Sequence, residues 1–186
     1  MQEPKLFMLM LGCRPAGRNT EQHDIFFGIG STVKDLIPDI KAFWPEAKGN
    51  IHVDAWREVR QVGGFSVEVV PREQDARESI YKLFFLNLGG YKAGEFEEFH
   101  YKMRAVATSK TEAIRQARQT AFYKHTGFKG AASHIDDKFG VDVDELHQVK
   151  DILPEQLKGK YQLLVQSGVG GEEDEMHLGY FKLNKL

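Results

Sequence analysis

Residues 5–12 read Lys5-Leu6-Phe7-Met8-Leu9-Met10-Leu11-Gly12, and the pattern returns 77 positions on as Lys82-Leu83-Phe84-Phe85-Leu86-Asn87-Leu88-Gly89. At the same offset Gly17 is matched by Gly94, Glu21 by Glu98 and His23 by His100. After the next helical stretch the offset becomes 90, so that Val53-Asp54 is answered by Val143-Asp144. The simplest reading is one structural unit written twice, the second copy carrying an insertion near 127–140.

Working outward, residues 5–12 lack the alternation of a half-buried strand, which is the signature of a strand covered on both faces. Residues 13–20 cluster Pro, Gly and Asn, turn chemistry that makes a hairpin with the strand Glu21 to Ile29. Thr32 and Asp35 approximate a capping box, and Val33, Leu36, Ile37, Ile40, Phe43 and Trp44 fall at helical spacing. Pro38 lies inside that stripe and should bend the helix. Strands follow at Ile51 to Val59 and Phe65 to Val69. In the second copy Ser109 and Glu112 cap a helix carrying Ala113, Ile114, Ala117 and Ala121, and strands are expected at 143–149 and 161–165. The fold class is α+β: a tandem duplication of a ββαββ unit, mainly antiparallel sheet with two amphipathic helices.

The expected boundaries are a first repeat at 1–71, a linker at 72–81 and a second repeat at 82–186, which ends in an extra strand. Half of a chain of 186 residues is a marginal size for a lone core, so the repeats are expected to share one compact pseudo-symmetric core. Two helices cover one face of a sheet. The second faces of 5–12 and 82–89 need a curled sheet, a second sheet or another subunit, and the last option makes a homodimer the expected partner.

The residues 5–70, from KLFMLMLG through EQHDIFFGIG and DLIPDIKAFWPEA to IHVDAWREV, resemble a small bacterial family, domain of unknown function 1543, found as one or two tandem copies per chain. The resemblance implies the duplication and a bacterial cytoplasmic setting. It implies no activity, cofactor or site residue.

Composition sets outer bounds. The chain is 41% hydrophobic and 28% charged, and its thirteen Phe residues supply bulk for a core. A formal net charge of −2 argues against nucleic acid or an anionic membrane surface as partner. Cys13 stands alone, which excludes an internal disulfide and fits a reducing compartment. Leu6 to Leu11 is too short for a signal sequence or a membrane span, so a cytoplasmic location is expected.

Candidate chemistry rests on three small constellations. Glu21-x-His23 and Glu98-x-His100 each put a carboxylate and an imidazole on one strand face. Brought together by pseudo-symmetry, the two pairs would offer a ligand set for a divalent metal such as Zn or Fe. The plainer alternative is that each Glu and His pair to brace the hairpin. His52-x-Asp54, beside Trp56, could join His23 and Asp24 for acid/base work, with a solvated strand face as the plainer alternative. Its echo is His134-x-Asp136-Asp137. Cys13 lies beside Arg14, but it reads as a small turn residue rather than a nucleophile. The acidic Gly168 to Glu175 stretch reads as an exposed turn. The leading expectation is a non-enzymatic soluble binding or assembly protein. The alternative is an enzyme or divalent-metal-binding protein using a cleft between the repeats, and convergence of Glu21, His23, His52 and Asp54 beside a pocket is what separates the two.

Overall fold

The computed structural model describes residues 3–72, 79–91, 94–120, 143–168 and 171–186. The protein is α+β, with three antiparallel sheets among the described residues. It divides into two compact units, Met1–Arg77 with Leu153–Leu186, and Glu78–Ile152. Residues expected as the second repeat thus contribute to both units, and from Leu153 onward the chain folds with the first.

In the first unit, β1 (Lys5–Cys13) runs between β2 (Gln22–Gly30) and β3 (Ile51–Glu58), and β10 (His177–Lys182) adds outside β3. Phe7, Leu9, Leu11 and Cys13 alternate onto one face, where they pack with Phe26, Val33, Leu36, Ile40 and Val53. The Asp35 carboxylate accepts the backbone N–H of Ser31 and of Thr32 and the Thr32 hydroxyl. The bonds from Thr32 lead in holding that carboxyl below its ordinary range. A 3-10 turn, Val33–Leu36, then hands over to α1 (Ile37–Phe43). Pro38, expected to bend one continuous helix, instead lies in the first turn of α1, where a missing N–H leaves no bond unmade.

A second sheet of this unit orders β4 (Gln61–Val62), β5 (Phe65–Pro71) and β9 (Tyr161–Ser167). The strand expected at 161–165 as the second-copy counterpart of 65–69 is its direct antiparallel neighbour, with Val67 opposite Val165. The short α3 (Glu155–Lys158) leads into β9. The acidic stretch before β10 differs from its expected exposed state at Asp174, which is buried. Its carboxylate accepts the backbone N–H groups of Arg60 and Gln61 at 3.1–3.2 Å, so it fastens the start of β4.

In the second unit, β6 (Lys82–Tyr91) runs between β7 (Glu98–Ala107) and β8 (Val143–Gln148). The expected cap forms: the Ser109 hydroxyl accepts the Glu112 N–H, and the Glu112 carboxylate accepts the N–H and O–H of Thr108. The helix so started, α2 (Lys110–Ala117), lays Ala113, Ile114 and Ala117 on Phe84, Leu86 and Leu88. Small side chains on the helix let it approach its sheet closely. Ala121, His134, Asp136 and Asp137 lie outside the described residues.

The opposite strand faces are not bare. Leu6, Phe27 and Ile29 are buried in the first unit, as are Leu83, Phe85 and Val106 in the second, so exposed apolar sheet faces supply no ground for a dimer. Among the described residues no helix is long and apolar enough to cross a membrane.

Candidate metal centre

Gly12 of β1 stands in register with His23 of β2 on one side and His52 of β3 on the other. Residues on one rung of a pleated sheet share a face, so both imidazoles flank a position without a side chain. Glu21 lies two residues before His23, on the same face. Asp54 arrives by a different device. β1 pairs Met10 with Ala55 and Leu11 with Val53, which leaves Asp54 as the extra residue of a bulge. Two residues on from His52, Asp54 keeps to the face of His52, and as the unpaired residue of the bulge it holds its carboxylate over Gly12.

The four side chains close a ring. His52 Nε2 lies 3.1 Å from Glu21 Oε1 and 3.2 Å from Asp54 Oδ1, while His23 Nε2 lies 3.2 Å from Asp54 Oδ2 and 3.9 Å from Glu21 Oε2. A Cβ on Gly12 would sit 2.6 Å from Asp54 Oδ2 and nearer still to His52 Nε2. Glycine is needed here for space.

Hydrogen bonding does not account for this ring. His52 is only 5% exposed. Its Nε2 and the Oδ2 of Asp54 are buried and make no aligned hydrogen bond. Leaving such atoms unsatisfied costs about 1–3 kcal/mol each. Donors bound at about 2.0–2.2 Å to one tetrahedral ion stand roughly 3.4 Å apart; each histidine–carboxylate contact is near that spacing, with the two imidazoles meeting different oxygens of each carboxylate. Two imidazoles with two carboxylates form a mixed nitrogen and oxygen set suited to Zn or Fe(II). Tyr180 of β10 stacks on the His52 ring, with centroids 4.2 Å apart and planes at 30°, which fixes the ring's attitude.

The second unit builds a related cluster. Gly89 of β6 is in register with His100 of β7. β6 pairs Asn87 with Glu145 and Leu88 with Val143, so Asp144 is again the bulge residue. Its Oδ2 lies 3.3 Å from His100 Nε2, and Glu98 Oε2 lies 3.9 Å from the same nitrogen. Ligand atoms of Glu98, His100 and Asp144 all fall within 4.8 Å of one another. A Cβ on Gly89 would meet this carboxylate too, 2.8 Å from Oδ1 and closer to Oδ2. At the offset of 90 the counterpart of His52 is Asp142, outside the described residues.

Of the candidates, Glu21, His23, His52 and Asp54 come together. Glu98 and His100, expected to complete a set with Glu21 and His23, are joined by Asp144 of their own unit. Asp24 lies on the opposite face from His23, and its carboxylate accepts the N–H of Ile25 at 2.7 Å. Cys13 is buried. Burial, and secondarily the charge of Glu21, pushes its thiol pKa up, so it stays protonated at neutral pH. The functional reading of the motifs missed Asp144, Tyr180 and the role of the two glycines. The offsets carried a signal for three of them: Asp54 maps to Asp144, and Gly12 to Gly89.

Residues 18–69 match the model of the Domain of Unknown Function (DUF1543), a span holding all four residues of the first cluster. No curated protein matches the chain. A crystal structure of the protein Il1583 from Idiomarina loihiensis is similar, with a TM-score of 0.62 and 22% identity over 97% of this chain and 99% of that one. At that identity the likeness speaks for the fold alone.

Proposed function

We propose that the chain is a divalent-metal-binding protein whose main site is Glu21, His23, His52 and Asp54, with Glu98, His100 and Asp144 as a second, three-residue site. The observation that carries this reading is the pair of buried atoms, His52 Nε2 and Asp54 Oδ2, that both lie over Gly12 without aligned hydrogen bonds. The convergence of the four residues favours metal binding over a purely structural or assembly role. A bracing network would direct each N–H along a carboxylate lone pair. An ion supplies what the present contacts lack, a centre toward which both lone pairs point and a charge that offsets two carboxylates.

An internal duplication is part of this reading. It is supported by the recurrence of glycine, Glu-x-His and a bulged aspartate at fixed sequence offsets. Equilibrium dialysis of tag-free protein against zinc tests the proposal. At least one equivalent is expected per chain, and one equivalent is lost in His52→Ala. Uptake below about half an equivalent, against the unit stoichiometry of a built site, sinks it.

A further inference from the structure

His52 has a second neighbourhood. Beside it the first unit opens a cleft of about 570 Å³, lined by Lys41, Asn50, His52, Tyr180, Lys182 and Asn184 together with Ile37, Ile51 and Leu183. That volume falls in the range of small-molecule sites, about 300–1,000 Å³. No carboxylate lines it. Neither lysine side chain makes an ion pair or hydrogen bond among the described residues. Two ammonium groups, two amides and two rings therefore line a space that borders the four-residue cluster at His52.

We propose that this cleft binds a small organic anion, a phosphate ester or carboxylate whose body rests on apolar wall and whose charge meets Lys41 and Lys182. Lysine is a compact, strongly hydrated point charge that holds either anion. The Tyr180 ring and the neighbouring aliphatic side chains would carry the uncharged part of the molecule. The inference rests on the metal reading in one respect. The carboxylates of Glu21 and Asp54 lie 3.1 and 3.2 Å from His52 Nε2, and their charges oppose the lysines across the imidazole. A dication among them offsets both charges and leaves the lysines' field to dominate the cleft. Metal loading thus tightens the anion, and by reciprocity the anion tightens the metal by the same factor.

The test titrates phenyl phosphate, benzoate and uncharged phenol into the full chain by calorimetry, with and without cobalt(II), whose uptake is counted separately. A hydrogen bond to a charged group is worth about tenfold or more in affinity. Both anions, or one of them, should bind at least about tenfold tighter than phenol, and tighter still after cobalt loading. The preferred anion identifies the charged group recognised. Lys41→Ala with Lys182→Ala should remove the advantage over phenol while cobalt stoichiometry stays the same. Anions that bind no better than phenol, or bind equally well to the double variant, overturn the cleft. Equal anion affinity with and without cobalt overturns its coupling to the metal centre. A chain that takes up no cobalt overturns the metal reading alone, and the same titration then decides the cleft by itself.

Discussion

The two clusters share a glycine, a Glu-x-His pair and a bulged aspartate, and their equivalent histidines are similarly open, the His23 side chain 41% exposed and that of His100 35%. What sets the first cluster apart is its additional imidazole, His52, whose side chain is 6% exposed. The difference traces to neighbours. In the first unit β10 lies outside β3 and sets Tyr180 on the His52 ring, whereas the described sheet of the second unit ends at β8. What covers His52 is thus β10, which lies outside the repeated pattern. A buried polar centre depends on its ligand more than an open one, because water satisfies the open one when the ligand leaves.

The sharpest way to break that comparison is to remove one imidazole from each cluster. Loss of a residue that merely orients a metal ligand costs about 10–100-fold in affinity. His52→Ala removes a ligand itself, so zinc affinity at the first site should fall by more than about 100-fold. His100→Ala should leave that site untouched, and site-resolved calorimetry reads both. Thermal unfolding gives the next effect. At a zinc concentration about 100 times its Kd, the first unit should gain about 2.7 kcal/mol, and Asp54→Asn should abolish the gain.

Space over the two glycines offers a smaller contrast. Gly12→Ala pushes a Cβ into buried His52 and should cost about 1–3 kcal/mol in urea denaturation of the metal-free protein. Gly89→Ala meets the end of the Asp144 carboxylate rather than a buried ring and should cost less, under about 1 kcal/mol. Tyr180→Leu removes the ring stack, about 0.5–1.5 kcal/mol, and should weaken zinc at the first site only.

The smallest effects lie at the helix caps. Hydrogen bonds, chiefly from Thr32 and Thr108, hold the Asp35 and Glu112 carboxyls below their ordinary pKa. A depressed folded-state pKa contributes stability that is present above the unfolded pKa and is lost as pH falls through the folded one. Asp35→Asn and Glu112→Gln should therefore lose a small stability at neutral pH and flatten its decline in the acid range below the usual carboxylate pKa. The loss is small because Asp35 is exposed and Glu112 only partly buried. Melting curves at a series of acid pH values check this.

Much of this architecture is legible in the residues, because it is written locally. The unbroken apolar run of 5–12, the Ser109–Glu112 cap and the strand limits each depend on neighbours in sequence. The Glu-x-His pairs are legible for the same reason, since positions two apart on a strand share a face. His52-x-Asp54 is legible in the same way; what is not local is the strand pairing that brings it over Gly12 beside Glu21 and His23. The aspartates reach their places through bulges, and a bulge depends on how two distant strands pair. Asp54 and Asp144 each fall one residue out of register only when β3 and β8 meet their partners. The return of β9 and β10 to the first unit is likewise a matter of pairing: nothing in Tyr161–Ser167 distinguishes a second-copy strand from the neighbour of β5. Asp174, in an acidic stretch with the composition of a solvated turn, is buried because two backbone N–H groups from Arg60 and Gln61 need an acceptor.

The most direct test is anomalous scattering at the metal absorption edge from crystals of tag-free protein equilibrated with zinc. The account predicts a peak among Glu21, His23, His52 and Asp54 at coordination distance, about 2.0–2.2 Å from the four donors. It predicts that the peak vanishes in His52→Ala. A structure at full zinc saturation with no peak there, and with His52 Nε2 bonded directly to a carboxylate or a water molecule, would contradict it.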